Sequence, residues 1–255
     1  MERPSLEAPT LADFERAPGY RVQRRLSDRL NFVMLDPDDP AGRARRFGKV
    51  YERCGLFSRL RRRRGARPGV DEARLLARLE SEGIPVPAVV AAGALPSGRS
   101  FVVVRAVDGE PLDDAIRAGR FAAPARRREL LLSLARLVRR LHATGTVHRD
   151  LYLCHVLVSP DGRTLALIDF ERALSRRRER WRVKDVAALL SSVPDGLLSR
   201  TDAVRFLLEY RGGADGLRRF ARRVARKAAR LRAHVPRARA AGRRAALEAK
   251  PSALA

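Results

Sequence analysis

The chain has 255 residues, 45% hydrophobic but only 5% aromatic, enough for one large domain or two modest lobes with cores of Leu, Val and Ala. A formal charge of +25 attracts nucleic acid, anionic lipid and phosphorylated substrates alike and does not choose among them. No run of about 18 uncharged apolar residues exists, which excludes a spanning helix, and the two cysteines, Cys54 and Cys154, suit a reducing compartment rather than a disulfide framework.

Residues 1–18 hold three prolines and few apolar positions, and read as a loose arm. They lack a basic segment followed by an apolar one, so no signal peptide is expected and the expected location is the cytoplasm. Residues 20–35, YRVQRRLSDRLNFVML, alternate around a Ser-Asp turn and predict a hairpin. DPDDPAGRAR is a loop, RFGKVYER a third strand, and LFSRLRRRRGARPG a basic, exposed connection. In VDEARLLARLESEGIPVP, the spacing of Val70, Ala73, Leu76, Ala77 and Leu79 predicts a helix that Gly83 stops. PAVVAAG and SFVVVRAV follow as strands around an LPSG turn.

After Asp108-Gly109 the pattern becomes helical. RRRELLLSLARLVRRLH sets Leu130, Leu134, Leu137, Val138 and Leu141 on one face and its arginines on the other. A loop at 148–155, a strand at 156–159, a turn at Pro160-Asp161-Gly162 and a strand at 165–169 come next, with helix to about residue 233. The expected organisation is α+β: a strand-rich lobe with one helix over 1–104, a hinge at 105–109, a helical lobe over 110–235, and a basic, disordered tail over 236–255.

Two acids stand at ordered places near the end of this pattern. Phosphoryl transfer requires a held nucleotide, a metal neutralising its phosphates and an acceptor for the hydroxyl proton. Asp150, in a loop, suits the proton acceptor, and Asp169, at a strand end 19 residues on, suits a hard oxygen ligand for magnesium. Lys49 on an early strand can meet the phosphates, and Glu72 on the following helix can hold Lys49, with Asp71 as a competitor. Each residue alone has a plainer reading: a surface turn, an exposed strand lysine, a solvated helix face, a capping acid. Their order and setting favour the chemistry. Cys154 reads as a small buried thiol, Trp181 as a packing residue, and His142 as a cap on helix carbonyls.

HRDLYLCH at 148–155 and IDFE at 168–171 resemble the H-R-D-x-x-x-x-N and D-F-G segments of protein kinases, with His155 where those have asparagine. H-R-D-x-Y-x-x-H, the IDFERA strand end, RWRVKDVAALLSS and TDAVRFLLEYRG are similar to the bacterial lipopolysaccharide core kinases, the heptose kinase, Kdo kinase and InaA-like family. The likeness runs from about Tyr20 to Gly212. It implies a two-lobed protein-kinase-like fold, catalytic Asp150, metal-binding Asp169, and His155 near a second metal or phosphate. It also implies a Lys49–Glu72 ion pair and nucleotide between the lobes, its adenine near Val104 to Val107. Asp185 falls where such kinases hold the catalytic-loop backbone; a helix N-terminal charge is the competing reading. The cofactors implied are ATP with Mg2+, or Mn2+ given the softer imidazole of His155.

Two departures stand out. The hairpin lacks a G-x-G-x-x-G loop, and Glu171 replaces the glycine of D-F-G, which disfavours a large backbone flip. The implied activity is transfer of the γ-phosphate of ATP to a sugar hydroxyl of lipopolysaccharide core or a related glycolipid. A catalytically weak, kinase-shaped regulatory protein competes with it, and nucleic-acid binding, resting on charge alone, comes third. The last helix, GLRRFARRVARKAARLR, has a seam of Leu217, Phe220, Val224, Ala228 and Leu231; its basic back is either a solvated face or a contact with the anionic inner membrane surface. Oligomeric state is not encoded in any of these features.

Overall fold

The alternating segments of the first half form a five-stranded antiparallel sheet in the computed structural model, which describes residues 10–248 apart from Ser27, 37–38, 40–43, 53–66 and 96–97. In chain order these are helix α1 (Leu11–Glu15), β1 (Arg21–Arg25), β2 (Arg29–Leu35), β3 (Arg45–Tyr51), helix α2 (Pro68–Ser81), β4 (Val89–Ala94) and β5 (Ser100–Arg105). The spatial order is β1-β2-β3-β5-β4, so β2, β3 and β5 are flanked on both edges.

Helix α1 corrects the expectation of a loose arm through residue 18. The Asp13 carboxylate accepts from Thr10 N at 2.7 Å, and Leu11 and Phe14 are buried, so a capping signal with two apolar anchors outweighs the nearby prolines. Strand alternation then sorts the side chains. Leu30, Phe32 and Met34 of β2, Val50 of β3, and Phe101 and Val103 of β5 form one core with Leu11 and Phe14. Phe32 stands opposite Gly48 and lies across it: a Cβ on Gly48 would sit 1.9 Å from the ring.

The other face carries Lys49 and Tyr51 of β3 opposite Val102 and Ser100 of β5, and Tyr51 and Val102 pack with Ala73 of α2. The expected basic connection lies mostly outside the described residues, but its last two, Pro68 and Gly69, open α2. Gly69 N donates to Ser100 Oγ at 3.0 Å, and a Cβ there would meet the Phe101 backbone at 2.6 Å. Glu72, Ala73, Leu76 and Leu79 are buried, and the helix ends where Gly83 takes φ 72°.

Two compact units result. The first runs to Gly109 and also takes in Ala166–Glu171, a segment the sequence assigns to the second; Leu167 N donates to Pro85 O at 2.9 Å. The remaining elements are β6 (Glu110–Pro111), α3 (Leu112–Arg117), α4 (Pro124–Ala143), β7 (Thr146–Val147), β8 (Val156–Val158), β9 (Leu165–Leu167), β10 (Leu174–Ser175), α5 (Glu179–Ser192), α6 (Arg200–Arg211) and α7 (Leu217–Glu248). In the second unit, β6 pairs with β8 and β7 with β10, both antiparallel. The apolar face of α4 is buried, with α6 packed on that helix, and α5 packs on α7.

Ser199 caps α6 by accepting from Asp202 N at 3.0 Å, and Gly212 closes it at φ 73°. Phe220, Val224 and Ala228 are buried along α7, with Leu217 and Leu231 half-buried. The last helix was expected to stop near residue 233, with a disordered tail from 236, yet α7 continues to Glu248. Alanine and arginine are strong helix formers, and here they outweigh Pro236. Residues 249–255 lie outside the described residues. The α+β class is the one expected.

Candidate active site

The first unit holds one half of the candidate machinery. Period-two alternation turns Lys49 toward α2, and the 3.6-residue period of α2 places Glu72 on the same buried face as Leu76 and Leu79. An unpaired carboxylate buried there costs several kcal/mol, roughly what two or three buried leucines return. Glu72 is therefore paired on both oxygens. Lys49 Nζ donates to Oε1 at 2.9 Å, and the Tyr51 hydroxyl donates to Oε2 at 2.5 Å. Asp71, the competing acid, faces outward and meets only Arg74 at 3.9 Å among the described residues.

Lys49 Nζ also donates to Asp169 Oδ1 at 2.7 Å, so its ammonium bridges two carboxylates. Burial alone would lower the lysine, but Glu72 and Asp169 more than reverse this and hold it above its ordinary value. Burial, then the charge of Glu72, pushes the Tyr51 phenol far above the usual tyrosine range. Asp169 was expected to end a strand running over 165–169. The strand stops at Leu167 instead, and Asp169 adopts φ 65°, a left-handed conformation that no strand accommodates. Glu171, in the position of the missing glycine, forms an ion pair with Arg29 of β2. Val104 is a half-buried residue of β5, between Phe47 and Val89, and Val107 is half-buried beyond the strand end.

The second unit holds Asp150 at the head of its loop. The carboxylate of Asp185, fully buried within α5, accepts from His148 N and Arg149 N, each at 2.7 Å. This fixes Arg149 at φ 73°, a strained position costing about 1–3 kcal/mol that the two charge-assisted bonds can hold. Asp185 is thus the loop-holding acid and not a helix N-terminal charge. His142 was expected to cap carbonyls; it is buried instead, with Nε2 3.1 Å from Asp185 Oδ2 and Nδ1 2.8 Å from the Tyr210 hydroxyl.

His155 Nδ1 donates to the main-chain oxygen of Asp150 at 2.7 Å, and its ring stacks on His148 at 5.9 Å. Because a carbonyl oxygen only accepts, that bond places a ring proton on Nδ1. Cys154 is exposed, correcting the expectation of a buried thiol: the 3₁₀ turn Leu153–His155 buries Leu153 and turns its neighbour outward. Cys54 lies outside the described residues. The Trp181 ring, expected only to pack, has the guanidinium groups of Arg149 and Arg180 over it at 5.3 and 5.1 Å.

Two cations from the IDFERA and RWRVKD segments, to which the sequence gives no role, flank Asp150. Arg172 Nη1 lies 3.0 Å from Oδ2 and 3.3 Å from Oδ1, while Lys184 Nζ lies 3.8 Å from Oδ1 and donates to Arg149 O. Burial, reinforced by Arg149 and Arg172 against the pull of Asp150, lowers Lys184 from its ordinary value.

Residues 43–210 match the model of the lipopolysaccharide kinase (Kdo/WaaP) family, a stretch containing every residue named in either half above except Arg29. The lipopolysaccharide core heptose(I) kinase WaaP of Pseudomonas aeruginosa is 37% identical over 155 residues, covering 54% of this chain and 58% of the relative. A 3-deoxy-D-manno-octulosonic acid kinase of Xylella fastidiosa is 32% identical over 156 residues, covering 57% and 60%. The EKC/KEOPS complex subunit bud32 of Emericella nidulans is 29% identical over 152 residues, covering 51% and 52%. The chain thus spans 52–60% of the length of these relatives.

Proposed function

Because the chain belongs to the lipopolysaccharide kinase (Kdo/WaaP) family, we propose that it is an ATP-dependent phosphotransferase acting on a sugar hydroxyl of lipopolysaccharide core or a related glycolipid. The observation that carries this reading is the Lys49 ammonium held between Glu72 and Asp169, a cation fixed at its tip as phosphate binding requires. In the proposed mechanism Lys49 steadies the α- and β-phosphates, with adenine against the segment from Val104 to Val107. Asp150 accepts the hydroxyl proton as the acceptor oxygen attacks the γ-phosphorus.

Asp169 would be the hard oxygen donor for Mg2+ or Mn2+, whose charge would neutralise the phosphates. Among the described residues no three His, Cys, Asp or Glu side chains group to hold an ion. His155 would act on a second ion or on phosphate, directly or across a water.

Transfer of radiolabelled γ-phosphate from ATP into extracted core lipopolysaccharide tests the reading, comparing wild type with Asp150→Ala. Label should enter only with wild type, while the variant keeps its nucleotide affinity. Loss of nucleotide binding in the variant would mean that Asp150 has a different task. Clear ATP binding by a wild type that labels no acceptor would favour a regulatory role instead.

We further propose that the protein works in the cytoplasm and meets the anionic inner membrane surface through the basic back of α7, where Arg222, Arg226 and Arg230 are exposed. No helix among the described residues is long and apolar enough to cross a membrane. Sedimentation with phosphatidylglycerol vesicles should fall as salt rises; binding indifferent to both lipid charge and salt would remove the idea.

A further inference from the structure

We propose that Lys184 is a catalytic residue whose ammonium contacts the phosphoryl group in flight beside Asp150. The proposal rests on the kinase reading and concerns a side chain that neither the motif spacing nor the family description assigns.

The geometry separates the two cations next to Asp150. Arg172 is bound directly to the carboxylate, but its side chain is 57% exposed, against 21% for Lys184. An exposed ion pair is worth little and is readily exchanged for solvent or substrate. Lys184 is held differently. It stands on α5 between buried Val183 and Asp185, and its hydrogen bond among the described residues goes to Arg149 O. At 3.8 Å from Asp150 Oδ1, its nitrogen lies beyond hydrogen-bonding distance of the base. An ammonium has three donors, so a tether through one of them leaves capacity for an incoming anion.

A general base must come within about 2.6–3.2 Å of the hydroxyl it deprotonates. A cation next to that base is then within reach of the oxygens on the phosphorus that the hydroxyl attacks. In the step, a bond forms between the acceptor oxygen and the γ-phosphorus. The bond from that phosphorus to the β–γ bridging oxygen breaks, and its electron pair leaves with ADP. The hydroxyl proton passes to Asp150. Lys184 neither gains nor loses a proton; it neutralises charge on the non-bridging oxygens.

The charged groups facing Lys184 are Asp150, Arg149 and Arg172, with Asp185 beside it on its own helix. Burial and the two arginines weaken its hold on the proton, so in wild type the activity should fall on the alkaline side as Lys184 discharges. An arginine there keeps its charge throughout. The experiment compares wild type, Lys184→Met and Lys184→Arg in the full chain, with ATP and dephosphorylated core lipopolysaccharide as acceptor, and measures kcat across pH alongside ATP affinity.

Lys184→Met should lower kcat by about 100-fold without changing ATP affinity, the scale expected for one group that stabilises transition-state charge. Lys184→Arg should recover most of that loss and carry the alkaline limb to higher pH, a shift that a merely structural lysine would not produce. A full kcat in an active Lys184→Met enzyme overturns the role of Lys184 alone. An alkaline limb unmoved in Lys184→Arg does the same, and decides the matter if the methionine variant does not fold. A wild type that transfers phosphate to no acceptor overturns the kinase reading, and this proposal with it.

Discussion

The hydroxyl of Tyr51 donates to Glu72 Oε2 while Lys49, two residues earlier on the same strand, donates to Oε1, so a single strand grips both oxygens of one buried carboxylate. Replacing Tyr51 by Phe leaves Oε2 buried and short of a partner, a loss of about 1–3 kcal/mol. The variant should melt several degrees lower. Its KM for ATP should rise as Glu72 loosens its hold on Lys49. A Tyr51→Phe protein with wild-type melting and wild-type KM would show that the phenol contributes nothing to the pair.

Gly48 precedes the same lysine and gives way to the Phe32 ring. Any Cβ at this position must displace the ring or the strand, at about 1–3 kcal/mol, the usual cost of overpacking. Gly48→Ala should therefore reduce denaturant stability by that amount. Gly98→Ala is the control for added bulk, since nothing lies within 4 Å of a Cβ there, though its φ of 77° adds its own strain. Undiminished stability in Gly48→Ala would mean that Phe32 moves aside freely.

Asp185→Ala removes the acceptor for His148 N and Arg149 N together. At roughly 1–3 kcal/mol for each buried donor left unsatisfied, the expected loss is about 2–6 kcal/mol. Arg149 is then free to leave its left-handed conformation. Turnover should suffer more than nucleotide affinity, because the unsettled loop carries Asp150. Equal effects on both would place the damage in the fold as a whole.

Alkaline pH should weaken the fold through the same strand. Lys49 and Tyr51 both hold their protons above the ordinary values of 10.5 and 10.0. A group whose folded value lies above its unfolded one contributes stability in full below the unfolded value and loses it as pH climbs toward the folded one. Stability should thus decline as pH rises past about 10. Lys184, with its value lowered on folding, works in the opposite direction and offsets part of the decline. Urea unfolding at several pH values should show a shallower alkaline slope in Tyr51→Phe than in wild type. Equal slopes would exclude Tyr51 as a contributor.

The sequence announces residues whose neighbours lie close in the chain or on a periodic face. Lys49 and Glu72 are legible because strand and helix periods each turn one of them inward, and Asp150 and His155 because one short loop carries both. Tyr51 is not, since a strand tyrosine reads as core packing until its hydroxyl is placed. Arg172 and Lys184 come from positions 22 and 34 residues beyond Asp150; the IDFERA and RWRVKD segments mark them as part of a resemblance, but nothing local in the sequence says that either side chain reaches Asp150. Period-two reasoning runs a strand straight through Asp169, because the left-handed turn there has no glycine to announce it. The α1 helix is hidden for a related reason: the prolines on either side of it, Pro9 and Pro18, speak louder than the short capping pattern from Thr10 to Asp13.

The ion pair between Arg29 and Glu171 bears on pharmacology. Compounds that would act by prising Asp169, the proposed metal donor, out of its seat need a hinge beside it that swings cheaply. Here the residue two places after Asp169 has a side chain, and that side chain is anchored to a strand. An inhibitor of this protein is better sought among compounds that accept the aspartate where it stands.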